Sequence, residues 1–296
     1  MDTPAPQPPS DPIVSLADCC FEPADFRLLQ SALAKANGLI LFCGPEGCGK
    51  TTSVYACAQH LAAPTRKIIT IEPALYSDIP WATRLVCSPA EGLTLPVLIR
   101  SAILAEPDVM IVTELDHPVA LPLLLRAALT RQLVISQSVA DNPGAAILDL
   151  KARNTQPFCV SDIVRLVIAQ RLVRRLCPEC SEAAPLAGDD LTFARKLWRL
   201  HQVADADRTG DFRRPTGCQA CAGTGYGGHR MITEFLPVSP AVAEAVRADM
   251  PAHKLRRIAF AEGAAHVAYD GLRKAAAGLT SIVELRQTVG ADSFLV

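Results

Sequence analysis

The sequence carries almost no net charge and contains no long uncharged apolar run. Its 29 Lys and Arg residues nearly balance its 30 Asp and Glu residues, which leaves a formal net charge of −1. A chain this neutral exerts no strong overall field on nucleic acid or on an anionic membrane. The N-terminus has no basic segment followed by an apolar core, and no apolar run reaches the roughly 18 residues of a membrane span. We therefore expect a cytoplasmic protein without a secretory signal or a transmembrane helix.

A chain of this size does not need disulfides to fold. It has 296 residues, 50% of them apolar, and so has room for two domains with substantial cores. Its eleven cysteines would indicate a disulfide framework in a small secreted domain. In a longer chain without an export signal, we interpret them as buried thiols together with metal ligands.

One stretch joins a short apolar run to a glycine-rich loop and then to a helix. The pattern G-x-x-x-x-G-K-[ST] is satisfied there by Gly44, Gly49, Lys50 and Thr51. Backbone N–H groups of such a loop wrap around phosphate oxygens, Lys50 adds a cation for the β and γ phosphates, and Thr51 can hold Mg²⁺. A tight glycine turn without a ligand is the less favoured alternative. We assign ATP binding to the whole loop: Gly44, Pro45, Glu46, Gly47, Cys48, Gly49, Lys50, Thr51 and Thr52.

Apolar runs of strand length alternate with helical patterns through the first half of the chain, which is typical of a parallel sheet covered on both faces. We predict strands at 39–43, 67–71, 109–112 and 133–136. We predict helices at 26–36, 52–61, 95–104, 118–130 and 144–151. The fold class expected is therefore α/β, with a three-layer nucleotide-binding core.

The remainder of the chain is divided by composition. Residues 1–12 carry five prolines and are expected to be a disordered tail, followed by the nucleotide-binding core at 13–170. A helix is predicted at 160–176, with Ser161 as its N-cap and arginines in its last turns. Residues 171–238 hold this helix end and a cysteine-bearing segment, and residues 239–296 read as a small all-helical subdomain.

Two C-x-x-C pairs indicate a metal site. They are Cys177 with Cys180 and Cys218 with Cys221, separated by 37 residues. Four thiolates fill the tetrahedral shell of Zn²⁺, so we predict a structural zinc and no catalytic role for it. Unliganded thiols are the alternative. A nucleic-acid-binding zinc module is disfavoured because residues 181–217 carry six acidic and six basic side chains and offer no basic stripe.

Nucleotide hydrolysis also needs a carboxylate near the phosphates. Glu114 follows the predicted strand at 109–112, and Glu72 ends the strand at 67–71. The carboxyl ends of parallel strands share one edge of a sheet, where α/β proteins bind their ligands. We predict Glu114 and Glu72 as catalytic acids, with Asp116 as a further candidate for metal or water contact.

With these motifs the sequence resembles the secretion-type ATPases of type II secretion and of type IV pilus assembly or retraction. The resemblance runs from about residue 38 to residue 289. The segments that carry it are GPEGCGKTT at 44–52, EPDVMIVTE at 106–114, LLRAALTRQLVIS at 124–136, AQRLVRRLCPEC at 169–180, CQACAGTGYGG at 218–228, EFLPV at 234–238 and DGLRKAAAGLT at 270–280. The tetracysteine pattern is similar to that of the assembly and secretion members and differs from that of the retraction members.

The resemblance implies a RecA-like P-loop ATPase core with an inserted Cys₄ zinc segment and a C-terminal helical subdomain. It implies ATP, Mg²⁺ and Zn²⁺ as cofactors. It also implies a cytoplasmic hexamer, homo- or hetero-oligomeric, that associates peripherally with an inner-membrane platform protein and does not bind nucleic acid. The expected function is an ATPase that energises type IV pilus assembly or type II secretion.

Several family motifs are altered in this chain. The acidic box is reduced to residues 72–75, and the Walker B region reads Thr-Glu-Leu-Asp-His at 113–117. No histidine stands at Val139, a leucine replaces the usual arginine at Leu104, and His-Arg-Met replaces Arg-Thr-Gly at 229–231. The family's N-terminal domains are also expected to be missing. We therefore hold open a nucleotide-binding but catalytically impaired paralogue that regulates or completes such a machine, and a DNA-handling ATPase as a weaker third interpretation.

Overall fold

Buried strands alternate with helices through the first half of the chain, as the apolar runs predict. The computed structural model describes residues 13–74, 79–115, 117–155 and 158–290. The expected tail at 1–12, Leu75 of the acidic box and Asp116 lie outside these described residues. The elements of this half are α1 (Pro23–Leu33), β1 (Gly38–Cys43), α2 (Lys50–Leu61), β2 (Ile68–Glu72), β3 (Thr83–Val86), α3 (Leu95–Leu104), β4 (Val109–Val112), α4 (Ala120–Thr130), β5 (Leu133–Ser138) and α5 (Pro143–Arg153).

The second half contains two long strands and five helices, among the residues that the structure describes. Its elements are β6 (Val164–Leu176), β7 (Glu182–Ala183), α6 (Gly188–Leu200), β8 (Arg213–Arg214), β9 (Tyr226–Pro237), α7 (Pro240–Arg247), α8 (Ala252–Ala261), α9 (Val267–Ala276) and α10 (Ile282–Val289). Polar side chains begin several of these helices, because they accept backbone N–H groups that a first turn leaves unpaired. Ser239 accepts from Val242 N–H, and Ser281 accepts from Glu284 N–H.

The main sheet has seven strands in the order β3-β2-β4-β5-β1-β6-β9. The pairs β1–β5, β5–β4, β4–β2 and β2–β3 are all parallel, so these strands end at one common edge. Residues of β1, β2, β4 and β5 are buried throughout, whereas those of the outermost strand β3 are partly or fully exposed. The predicted mixed α/β fold with a mostly parallel sheet is therefore confirmed.

The chain divides into two compact units. The first comprises the described residues up to 168 together with 236–256, and the second comprises 169–235 together with those from 257 onward. The second unit has its own apolar core, to which α6, β9, α9 and α10 contribute. Its largest members are Val173, Phe193, Leu197, Trp198, Phe212, Ile232, Leu272, Ile282 and Leu285. No described helix in either unit has the length and apolar character needed to cross a membrane.

The helix predicted at 160–176 is wrong. Only Val160–Asp162 form a short 3₁₀ turn, and Val164–Leu176 form strand β6. Side chains from residue 166 to residue 170 are all buried, so this stretch has no two-residue alternation to distinguish a strand from a helix. Its β-branched content favours a strand, and Ser161 accordingly caps no α-helix. Strands β3 and β9 and helix α6 were not predicted. In the case of β9, the strand begins with glycines and polar residues, which do not form an apolar run.

Candidate functional site

The glycine-rich loop between β1 and α2 has the backbone shape that its composition requires. Gly44, Gly47 and Gly49 adopt φ angles of +145°, +72° and +86°, where side chains with a Cβ are strained. A Cβ on Gly47 would meet no other atom within 4 Å, so the loop backbone faces open space there. Helix α2 begins at Lys50, which places its unpaired first-turn N–H groups beside the loop.

Lys50 is a buried cation without an anionic partner among the described residues. Only 9% of its surface is exposed, and its Nζ donates to Gly44 O at 2.6 Å and to Pro45 O at 2.8 Å. Two carbonyl oxygens stabilise a buried ammonium less than an anion does. The arrangement therefore fits an anionic ligand at the mouth of the loop.

A cavity of about 1060 Å³ opens at the carboxyl edge of the parallel strands. This volume reaches the upper end of ordinary small-molecule sites, roughly 300–1,000 Å³. The phosphate-loop residues Glu46, Gly47, Gly49, Lys50 and Thr51 form one wall. The other walls include Thr113, Glu114, Leu115 and His117 after β4, and Gln137, Ser138 and Val139 at the end of β5.

The two predicted acids occupy different surroundings. Glu114 lines the cavity, and its negative charge adds to burial in raising the pKa of Cys87, which lines the same cavity. Glu72 is not part of the cavity lining and is 1% exposed. Its carboxylate accepts hydrogen bonds from Tyr55 at 2.6 Å, from Thr70 at 2.6 Å and from Arg84 at 3.3 Å.

Sequence reasoning missed several polar residues of the cavity, among them Gln137 and His117. Gln137 is the penultimate residue of β5, and its side-chain amide lies 3.3–3.4 Å from Thr51 Oγ1. His117 accepts backbone N–H groups from Val119 and Ala120 at Nδ1, at 3.2 and 3.4 Å. The signal that could have identified Gln137 is its position directly after the strand predicted at 133–136, where ligand contacts are common.

The four cysteines of the C-x-x-C pairs converge in the second unit. Their Sγ atoms all lie within 4.8 Å of one another, with separations of 3.9 Å for Cys177–Cys218, 3.8 Å for Cys180–Cys221 and 3.8 Å for Cys218–Cys221. Tetrahedral Zn–S bonds of about 2.3 Å require sulfur atoms about 3.8 Å apart. The donor set and spacing therefore fit a four-thiolate metal site.

Backbone groups favour the thiolate form of Cys221, one of these four cysteines. Cys218 N–H and Gly225 N–H donate to Cys221 Sγ at 3.2 and 3.1 Å. These hydrogen bonds, that of Cys218 first, lower the pKa of Cys221 to about 6. A further backbone bond, from Cys177 N–H to Gly225 O at 3.0 Å, ties the first knuckle to the segment after the second.

Comparisons with known proteins agree with this geometry. Type IV pilus assembly ATPase PilB of Thermus thermophilus is 30% identical over 274 residues, 92% of this chain and 30% of the relative. Type II secretion system ATPase E of Vibrio cholerae is 31% identical over 261 residues, 88% of this chain and 50% of the relative. A putative type II secretion system protein E of Escherichia coli is 29% identical over 284 residues, 94% of this chain and 55% of the relative.

Solved structures share the fold at lower identity. The pilus retraction motor PilT with bound ADP aligns with a TM-score of 0.65 and 18% identity, over 95% of this chain and 68% of that chain. The Legionella pneumophila ATPase DotB aligns with a TM-score of 0.63 and 15% identity, over 95% of this chain and 65% of that chain. The family model described as type II/IV secretion system protein matches residues 7–287. The chain therefore belongs to the type II/IV secretion system protein family.

Proposed function

We propose that this chain binds Mg-ATP in the cavity at the end of β1 and hydrolyses it to energise type II secretion or type IV pilus assembly. The observation that carries the proposal is the buried Lys50 ammonium, held only by loop carbonyls among the described residues, at the wall of a cavity of about 1060 Å³. An ammonium in that position gains most from an anion of high charge density, such as a polyphosphate.

Each part of the site has a role in this proposal. The N–H groups of the loop from Gly44 to Thr52 bind the phosphates, and Lys50 neutralises their outer charges. The Thr51 hydroxyl and a carboxylate such as Glu114 are the hard oxygen donors that Mg²⁺ prefers, so the residues present fit the ion. When bound, Mg²⁺ supplies charge neutralisation at the phosphate oxygens. Glu114 orients the attacking water and accepts its proton, and Glu72 supports the site from its buried network.

The second unit holds a structural zinc in this proposal. Cys177, Cys180, Cys218 and Cys221 supply four thiolates, which leaves no coordination position for substrate. The ion therefore stabilises the segment between the two knuckles and takes no part in hydrolysis.

The assembly and location are likewise proposed from the relatives. This chain spans 30% of the matched PilB and 50% of the matched type II secretion ATPase, so the activity of those whole proteins is an inference for this chain. We propose a homo- or hetero-hexamer on the cytoplasmic side of the inner membrane. It binds a platform protein of the secretion or pilus machine and reaches the membrane through that partner.

A second function is a nucleotide-binding paralogue that hydrolyses ATP poorly and regulates or completes such a machine. It is favoured by the lining of the cavity, in which none of the described side chains is an arginine and the apolar Val139 is 57% exposed. Losing an arginine finger alone can reduce phosphoryl-transfer rates by about 10³–10⁵. A partner chain could restore the missing charge in the assembled ring.

Lys50→Ala tests both functions against the exposed Lys35→Ala as a matched control. We expect calorimetry with ATP and Mg²⁺ to show binding by the wild type and by Lys35→Ala, and affinity lower by about tenfold or more in Lys50→Ala. Steady-state turnover, measured alone and with the proteins of its genomic neighbours, then separates the two functions. Turnover that Lys50→Ala abolishes supports the motor, binding without turnover supports the paralogue, and absence of binding by the wild type contradicts both.

A further inference from the structure

Gln137 lies where the sheet, the phosphate loop and the cavity meet. It pairs with Phe42 of β1 in parallel register, and the next residue, Ser138, accepts the Gly44 N–H at 3.2 Å. The side chain of Gln137 is 8% exposed and lines the cavity. The backbone pairing therefore fixes the point from which the Gln137 side chain starts, beside the phosphate loop.

The Gln137 amide contacts Thr51 through both of its polar atoms. Thr51 Oγ1 lies 3.4 Å from Gln137 Oε1 and 3.3 Å from Gln137 Nε2. A threonine hydroxyl has one proton to donate and lone pairs to accept with, so it can bond either atom. At these lengths neither hydrogen bond is strong, so either the Oε1 bond or the Nε2 bond can form.

Which of the two hydrogen bonds forms depends on whether a lone pair of Thr51 Oγ1 is bound to a cation. When a lone pair of the Thr51 hydroxyl binds a cation, the hydroxyl can still donate its proton in a hydrogen bond. Gln137 Oε1 is an acceptor within reach of that proton. In that arrangement Nε2 no longer bonds to Thr51, and its two protons are available to the cavity that Lys50 also lines. An oxygen of the outermost phosphate is an anionic acceptor suited to such a donor.

We propose that Gln137 gives the site a large part of its preference for a nucleoside triphosphate with magnesium over the diphosphate, beside the contribution of Lys50. Its Oε1 accepts from the Thr51 hydroxyl and its Nε2 donates to the outermost phosphate. This inference rests on the proposed nucleotide site, and it assigns a measurable share of the selectivity of that site to the Gln137 side chain. Wall residues that bind only the inner phosphates contribute equally to both nucleotides and cannot create this preference.

Two substitutions separate the acceptor from the donor. Gln137→Met keeps the length of the side chain and removes both polar atoms. Gln137→Glu keeps an oxygen that accepts from Thr51, removes the N–H donor and adds a negative charge. The matched control is Gln59→Met, which changes an exposed glutamine on α2, the helix that also carries Thr51.

The test measures equilibrium affinity by calorimetry for a non-hydrolysable ATP analogue and for ADP, each over a Mg²⁺ titration. We expect both Gln137 variants to lose the preference for the triphosphate analogue by roughly tenfold to a hundredfold, with ADP affinity of Gln137→Met changed less than about threefold. We also expect Gln137→Met to need more Mg²⁺ for half-maximal binding, whereas Gln137→Glu needs no more than the wild type. Gln59→Met should behave as the wild type in both measurements.

Other outcomes overturn the proposal. A preference retained in Gln137→Met, or an equal loss of both nucleotides in a folded variant, removes the selective role of Gln137 while leaving the nucleotide site intact. Binding of neither nucleotide by the wild type removes the proposed function and this inference together. Thermal unfolding curves check that each variant is folded. If Gln137→Met is not folded, a preference retained in Gln137→Glu still overturns the proposal, because that variant has lost the N–H donor.

Discussion

Glu72 ends β2 and Glu114 follows β4 at the same edge of the sheet, yet their side chains have different surroundings. Glu114 lies on the cavity wall, whereas Glu72 is buried among hydrogen-bond donors from α2, β2 and β3. The donor from α2 is Tyr55, five residues after Lys50 on the helix that opens the phosphate loop. A buried carboxylate with three donors holds these elements together, and we propose that this is how Glu72 serves the site.

Glu72→Gln is expected to lower the free energy of unfolding by about 2 kcal/mol, since it weakens charge-assisted hydrogen bonds in a buried network. Urea denaturation measures the loss, with the exposed Glu91→Gln as the matched control. Nucleotide affinity should fall only in proportion to the loss of folded protein. Unchanged stability together with a large fall in turnover would instead support Glu72 as a catalytic acid.

At the scale of elements, helix α6 is anchored through the residue that follows it. The His201 ring stacks on Tyr269 of α9 with centroids 4.1 Å apart and meets Phe260 of α8 edge-on at 5.6 Å. His201 Nε2 accepts the His266 N–H at 3.3 Å. Burial first, and then the nearby His266 and Arg273, lower the pKa of His201 to about 4 against the opposing effect of Glu234.

This lowered pKa predicts a loss of stability in acid. The folded state holds His201 neutral, whereas the unfolded chain protonates it near pH 6.5, so the unfolded state binds more protons between pH 6.5 and pH 4. As the pH falls from 7 to 5, we expect His201 to lower the free energy of unfolding by about 1 kcal/mol, after allowance for its partial exposure. Urea denaturation at both pH values checks this. Over this pH interval, His201→Gln should lose less stability than the wild type. The control His60→Gln, at an exposed histidine, should lose as much stability as the wild type.

At the scale of the whole molecule, the cysteine cluster and the cavity beside the phosphate loop belong to different compact units. All four cysteines fall in the second unit, and all residues that line the cavity fall in the first. Removing a metal from the cysteines is therefore expected to affect the second unit first. The apolar core of that unit supplies stability of its own, so its helices need not unfold completely.

We expect metal analysis to find one zinc per chain and Cys218→Ser to bind none. The variant should lose several kcal/mol of stability, because a structural zinc contributes about 10–16 kcal/mol of apparent binding free energy in isolated fingers. Hydrogen exchange should localise the loss to residues 169–235. Cys20→Ser, which changes a cysteine outside the cluster, should match the wild type. Wild-type protein without zinc, or a Cys218→Ser variant of unchanged stability, would contradict the site.

Local sequence patterns were sufficient to predict a feature wherever the residues of one short segment determine its structure by themselves. The phosphate loop was predictable because glycines at 44, 47 and 49 are needed for its positive φ angles, and the strands at 109–112 and 133–136 because continuous apolar runs suit a sheet covered on both faces. The cysteine pairs were predictable because their spacing suits tetrahedral coordination. The resemblance to secretion ATPases rested on the same local motifs.

Tertiary structure decided what depends on partners distant in the chain. Residues 164–176 form a strand because the sheet supplies backbone partners there, and their apolar pattern suits a helix equally well. Thr51 and Gln137 are 86 residues apart, and their contact follows from the parallel pairing of β1 with β5. The sequence placed Glu72 at the correct edge of the sheet. Its carboxylate is instead buried by hydrogen bonds to neighbouring side chains and does not line the cavity. The sequence alone thus determined the ligand-binding loop and the cysteine pairs, while the fold decided which side chains surround them, because such contacts depend on packing between distant segments.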